Sequence, residues 1–298
     1  MALNPIMTPA ASTANLADLT ERLSRWQERL RSPTELQLPT DYPRPIPLKV
    51  VEAVETFELS AQSSLSILQL SLSMSMQQDS SAGGHATSPF TVLLAAFSIL
   101  LHRYTAEEDI VVSSSSESSN PLVLRLDVKP GDSFLDVLRM AQRVSSEAAA
   151  DEVPFKALMT AYLAAAESAK GQSSGAKADA SAAPSLFRVR FFNQTDADDS
   201  TLQQTTTQAT DFTVQVRQKT TESLRQLHPK IELQIAYNQV LFTAQRIAHM
   251  VAQLQMVLAT AAETLTRTLA GDALLSEHQV GNMNIASALD LEAVPSPR

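Results

Sequence analysis

With 298 residues, 23 Lys plus Arg against 32 Asp plus Glu and a pI near 5.1, the chain has no electrostatic basis for gripping nucleic acid or an anionic membrane. It contains 0 Cys, which excludes disulfides, thiolate nucleophiles, iron–sulfur clusters and Cys-based zinc sites, and fits a reducing compartment. None of its 7 glycines forms a G-x-G pair or opens a G-x-x-x-x-G-K loop, so phosphate-cradling turns and nucleotide chemistry are not expected.

Residues 1–14 are small and polar with two prolines and read as a disordered tail. Leu16, Leu19, Leu23, Trp26 and Leu30 then recur at helical spacing, with Arg22, Arg25, Glu28 and Arg29 between them, and Ser32 and Pro33 end this amphipathic helix. The run LQLPTDYPRPIP from Leu36 to Pro47 cannot be helical, because each proline disfavours αR in the residue before it and removes a donor. Helix and extended connector thus make one unit over 15–47, and a main domain follows over 48–278. Val51 to Leu59 suits a strand. Leu68, Leu70, Leu72, Met74 and Met76 alternate with polar residues and predict a second one. A Ser/Gly/Gln-rich stretch, 77–87, reads as a flexible insert.

Ser88 and Pro89 supply a cap and a first-turn proline for an apolar helix ending near Tyr104. Its apolar run, Pro89 to Leu101, falls short of the roughly 20 residues that span a bilayer, and no basic cluster precedes an apolar run at the N-terminus. A soluble, cytoplasmic protein is expected. Ile110 to Val112 and Leu122 to Val128 read as buried strands, with Ser113 to Ser116 as a loop. Gly131 and Asp132 turn the chain into a helix over 133–150 carrying Phe134, Leu138, Ala141 and Val144 on one face, and Pro154 opens another over 155–166. Between 167 and 183 no apolar residue exceeds Ala in size, which predicts a second flexible insert over 168–183. Three alternating strands follow, on Phe187, Val189 and Phe191, on Phe212, Val214 and Val216, and on Ile231, Leu233, Ile235 and Tyr237. Ile247, Val251, Leu254, Leu258, Ala261 and Leu265 mark a long helix over 243–269. Residues 279–298 read as a linker towards a further domain. The expected architecture is α/β, a mixed sheet with helices packed on one side.

Candidate chemistry is sparse. Of His85, His102, His228, His249 and His278, only His102 has nearby partners, in Arg103 and the run Glu107, Glu108, Asp109; interaction with the helix C-terminus outweighs catalysis as its expected role. No H-x-x-x-H or H-E-x-x-H spacing exists, and the acidic run reads as a solvated turn before a strand. The serines 113–116 lack the glycines of a nucleophile elbow. Arg188 and Arg190 alternate with Phe187, Val189 and Phe191, so they share a sheet face, either as an anion-binding patch or for salt bridging or domain docking. No catalytic, cofactor-binding or metal-binding residue is predicted.

The order WQERL (Trp26 to Leu30), LQLPTDYPRP, PFTVLLAAFSILLHRYTAEEDIVV (Pro89 to Val112), VPFKAL (Val153 to Leu158), SLFRVRFFNQTD (Ser185 to Asp196) and IELQIAYNQVLFTAQRI (Ile231 to Ile247) resembles the C-terminal half of the condensation domains of nonribosomal peptide synthetases. RVRFFNQTD, together with the presence of only half such a domain, looks most like the N-terminal region of the fungal α-aminoadipate reductases. The resemblance implies a chloramphenicol-acetyltransferase-like half-domain, with Asp41 and Arg44 holding the linker against the sheet. The family's His-His-x-x-x-Asp-Gly motif belongs to the other half, and this chain has no His-His pair; it also lacks the Gly-Phe-Phe-Val-Asn segment and carries Ala106 and Ser113 at usual glycine positions. The resemblance therefore implies a noncatalytic platform at the start of a multidomain reductase of lysine biosynthesis. ATP, phosphopantetheine and NADPH would serve other parts of that enzyme, and the partners would be its downstream adenylation and carrier domains. The alternatives are an acyltransferase completed in trans by another subunit and a carrier-docking module without chemistry.

Overall fold

The computed structural model describes residues 9–34, 36–77, 87–115, 120–170, 188–193, 210–219 and 230–271. In chain order they form α1 (Pro9–Arg29), β1 (Glu52–Glu58), α2 (Ala61–Gln77), α3 (Pro89–Thr105), β2 (Asp109–Ser115), β3 (Pro121–Asp127), α4 (Phe134–Ala150), α5 (Phe155–Lys170), β4 (Val189–Asn193), β5 (Phe212–Lys219), β6 (Lys230–Asn238) and α6 (Ala244–Gly271). The strands build one mixed sheet of order β1-β6-β5-β4-β2-β3, in which β4 runs parallel to both β2 and β5 and the other pairs are antiparallel.

The period of two sorts the strand residues by face. On one face Ile110, Val112, Leu124, Phe191, Phe212, Val214, Leu233 and Ile235 are all buried, and α2, α3, α4 and α6 pack there. Phe97 of α3 stacks on Phe191 with centroids 5.1 Å apart and meets Phe212 edge-on at 5.8 Å. Every residue from Thr91 to Leu101 is buried, which explains why α3 is apolar all round rather than striped. Ser88 caps its start by accepting from the Thr91 amide, and Ser133 forms a capping box with Asp136 on α4; such caps contribute about 1 kcal/mol each.

Helices cover both faces, not the one side expected. Val111, Val123 and Arg125 point to the opposite face, where Arg125 donates to the carbonyls of Arg29 and Arg31 and its charge reaches Tyr162 of α5. There α1 and α5 pack over β2 and β3. The apolar alternation of the late strands carries no information about these two distant strands, whose continuous apolar runs already signal cover on both sides.

Residues 61–77 form α2 where the alternation predicts a strand. The buried set is Ser63, Ser64, Ser66, Ile67, Leu70, Ser71 and Met74, a helical stripe in which small serines stand where large residues are usual, while Leu65 and Leu72 are left exposed. Ser73 and Ser75 satisfy their hydroxyls on the carbonyls four residues back, so the helix tolerates them. Ser113 to Ser115, expected in a loop, continue β2: they pair with Val123, Leu122 and Pro121, because a ladder is made by backbone and not by side chains. The first helix begins at Pro9, inside the expected tail, and α5 runs to Lys170, into the expected second insert. The remainder of that insert, 78–86 of the first, Phe187, Ser116, His85, His228, His278 and the 279–298 linker lie outside the described residues. Among the described residues, no helix is long and apolar enough to cross a membrane.

Ala106 ends α3 in the left-handed region with φ 58° and ψ 13°, its amide bonded to the His102 carbonyl. A Cβ there costs roughly 1–2 kcal/mol, partly offset by the lower unfolded-state entropy of Ala relative to Gly. Ala106→Gly is therefore expected to stabilise the chain by about 0.5–1 kcal/mol. A higher urea midpoint at unchanged slope is the supporting result.

Candidate functional site

The polar residues that the fold brings together lie mostly along the path of the connector. Asp41 accepts through Oδ2 from the amide and hydroxyl of Thr243, and through Oδ1 from Arg246 Nε at 2.8 Å and Nη2 at 2.7 Å. Burial pushes its carboxyl up, yet the bonds from Thr243 and Arg246 outweigh this and hold it below the ordinary 3.8. Arg44 donates a fork to both oxygens of Asp211, at 2.9 and 2.6 Å, and Asp211 is 0% exposed. Arg188 approaches the same carboxylate at 3.8 Å. Asp41 and Arg44 thus hold the linker, as the resemblance implies, and Arg188 takes up the salt-bridging role.

The acidic run divides. Asp109 opens β2 and binds Arg125 through Nε at 2.7 Å and Nη2 at 2.9 Å while accepting from the Thr34 amide; burial raises its carboxyl, and these bonds bring it below 3.8. Glu108 lends its carbonyl to the Val128 amide. Among the described residues, no group of three or more acids or histidines is placed to hold a metal. His102 sits in the last turn of α3 with Nδ1 2.8 Å from the Glu107 carbonyl. A carbonyl only accepts, so Nδ1 carries the proton and the ring is tied to the loop that follows its own helix.

Arg190 behaves differently from Arg188. It is buried on β4, its guanidinium carbon 5.1 Å from the Phe192 ring centroid, and burial lowers its pKa while the charge of Glu52 opposes that shift. The two arginines share a face and a strand direction, but only Arg188 reaches a carboxylate at ion-pair distance.

Three polar anchors escape sequence reasoning: Asp211, Arg246 and Asp151. Asp151 ends α4 and receives Arg25 and Arg29, each at 2.6 Å, while its carbonyl accepts from Trp26 Nε1. The hydrogen bond from Arg25 holds its carboxyl below 3.8 against the effect of burial. Arg246 did carry a signal: a cation in the first turn of a helix opposes the dipole and needs a nearby acid.

No family model matches the chain. It is 33% identical over 283 residues to the L-2-aminoadipate reductase of Schizosaccharomyces pombe, covering 93% of this chain and 18% of that protein. It is 28% identical over 271 residues to the L-2-aminoadipate reductase large subunit of Penicillium chrysogenum, covering 91% of this chain and 16% of the other. A match to a linear gramicidin synthase of Brevibacillus parabrevis, 33% identical, covers 47% of this chain and 3% of that one. The chain thus spans less than a fifth of the reductases it matches. Among solved structures, SgcC5 of Streptomyces globisporus superposes with a TM-score of 0.59 at 19% identity, covering 88% of this chain and 61% of that one. The condensation domain of the Monacolin K polyketide synthase MokA does so with 0.59 at 15% identity, covering 85% and 59%. The fold is that of condensation domains, chloramphenicol-acetyltransferase-like.

Removing the Asp211 carboxylate leaves Arg44 and Arg188 facing a neutral buried group, and Asp211→Asn is expected to cost about 3 kcal/mol or more in urea unfolding. A loss below ~1 kcal/mol would show that the fork contributes little. Asp41, Asp109 and Asp151 all titrate below 3.8 when folded, so the unfolded chain binds protons first. Their contribution is complete above the unfolded value and is lost as pH falls through the lower folded values. Stability is therefore expected to be flat from about pH 7 to 5 and to fall below about pH 4, with a shallower fall in Asp109→Asn.

Proposed function

We propose that this chain, a condensation-like domain of the L-2-aminoadipate reductase family, is a noncatalytic platform at the N-terminal side of a multidomain, cytoplasmic reductase. In this reading a downstream adenylation domain activates α-aminoadipate with ATP, and a carrier domain holds the acyl group as a phosphopantetheine thioester. NADPH-dependent reduction then releases the semialdehyde for lysine biosynthesis. This chain supplies none of the reacting groups; it supplies surface and anchorage for its neighbours. The carrying observation is the breadth of the similarity, which extends over 93% of the chain for the reductase of Schizosaccharomyces pombe against 47% for the linear gramicidin synthase. The sequence has no adjacent histidine pair, and the one helix-end histidine with neighbours, His102, spends its Nδ1 proton on the Glu107 carbonyl.

The test is made in the complete reductase. Deleting residues 9–271 is expected to lower the unfolding temperature of the remainder and slow the overall reduction, while His102→Ala leaves the rate within twofold of the parent. Unchanged stability and rate after the deletion would sink the platform reading. Turnover of aminoacyl thioesters by this chain, abolished in His102→Ala, would instead favour acyl transfer.

A further inference from the structure

Farther along the sheet face that α1 and α5 cover over β2 and β3, no helix of the described residues packs. On that face β4, β5, β6 and β1 present Arg190, Thr213, Gln215, Gln234, Val54 and Glu52 in register. Glu52 and Val54 are exposed and Gln215 and Gln234 half-buried, so the surface deepens from the β1 edge towards β4. Arg190 lies at the deep end, 8% exposed, above the buried Phe192 ring. Among the described residues, its guanidinium forms no ion pair, whereas Arg44, Arg125, Arg188 and Arg246 each face a carboxylate. Among the described residues, the guanidinium is thus buried with no carboxylate at ion-pair distance.

A buried cation without a partner is costly, and five donors fixed in a fork match a two-oxygen anion. The register partners of Arg190 are Ser113 on β2 and Thr213 on β5, both buried, so a hydroxyl-bearing residue stands beside it on each neighbouring strand. The charge balance selects the anion: a single guanidinium with Glu52 across the same face suits one negative charge better than the two of a phosphate. We propose that Arg190, flanked by Ser113 and Thr213, anchors a carboxylate-binding site on this face of the sheet. The site takes a small carboxylate or the terminus of a longer carboxylic acid. It involves no covalent step and does not depend on the platform reading.

The full chain is titrated with sodium acetate and with inorganic phosphate at constant ionic strength against chloride, followed by calorimetry and thermal unfolding. Acetate is expected to bind saturably and raise the unfolding temperature, with the apparent affinity at least tenfold weaker in Arg190→Met and intermediate in Arg190→Lys. Without acetate, Arg190→Met is expected to unfold no lower than the parent, because Met keeps the packing on Phe192 and removes an unpaired charge. An acetate response unchanged in Arg190→Met overturns the site. So does phosphate saturating at lower concentration than acetate, or a drop of several degrees in the unfolding temperature of Arg190→Met, which would make Arg190 a structural partner.

Discussion

A single desolvated carboxylate sets the geometry of the middle of the molecule. Asp211 is sealed from water, and two guanidinium groups, from Arg44 and Arg188, supply its counter-charge. Its backbone works at the same point: its amide donates to the Arg188 carbonyl at 2.7 Å, and its own carbonyl accepts from the Asn238 amide at 3.1 Å. One residue therefore fixes the entrance of β5 against the segment before β4 and the end of β6, and pins the connector outside them. Asn238 extends the arrangement, accepting from the Val51 and Val240 amides and donating to the Lys49 carbonyl, so that the start of β1 is registered by the same corner. Buried polar clusters are stabilising only when complete, and the members of this one are all satisfied.

The connector becomes intelligible from that corner. It leaves α1 beside β2, where the Thr34 amide meets Asp109, buries Leu36 and Leu38, and crosses to the far end of the sheet. There Asp41 and Tyr42 donate their amides to the Leu241 carbonyl while the Asp41 side chain holds the first turn of α6. Prolines keep the strip extended along this path and remove donors that would otherwise need partners. The result is a strap joining the helix on one face to the edge strand β1, adding to the ladder with β6 and the contact with α6 that hold that strand.

What could be read from the sequence follows from the range of the interactions involved. The strands β4 to β6 and the helices α3, α4 and α6 have clean periods or caps, which are local signals, and they were legible with small boundary errors. In α2, alternating leucine and serine imitate a strand, and only the partner helices α3 and α6 determine which residues are buried. Helix α1 crosses to the second face because Trp26 and Arg25 meet Asp151, more than a hundred positions away, and nothing local announces that contact. The Arg44–Asp211 fork spans 167 positions. Its arginine could be singled out from the connector motif, but its acid could not.

The same limit separates Arg188 from Arg190. The alternation around Phe191 places both guanidinium groups on one face, yet it cannot say what stands opposite each of them. Arg188 meets Asp211, because β5 begins there; Arg190, two positions on, lies over Phe192 beside Ser113 and Thr213. A condensation-like fold hosts different activities, and its backbone alone assigns none. Where the fold needs charge it supplies the pair, as at Asp41 with Arg246, Asp109 with Arg125 and Asp151 with Arg29. An arginine buried more deeply than these, on a part of the sheet that no helix of the described residues covers, is explained neither by the corner that Asp211 organises nor by the packing of the helices, and it is there that the chemistry of the chain points outward.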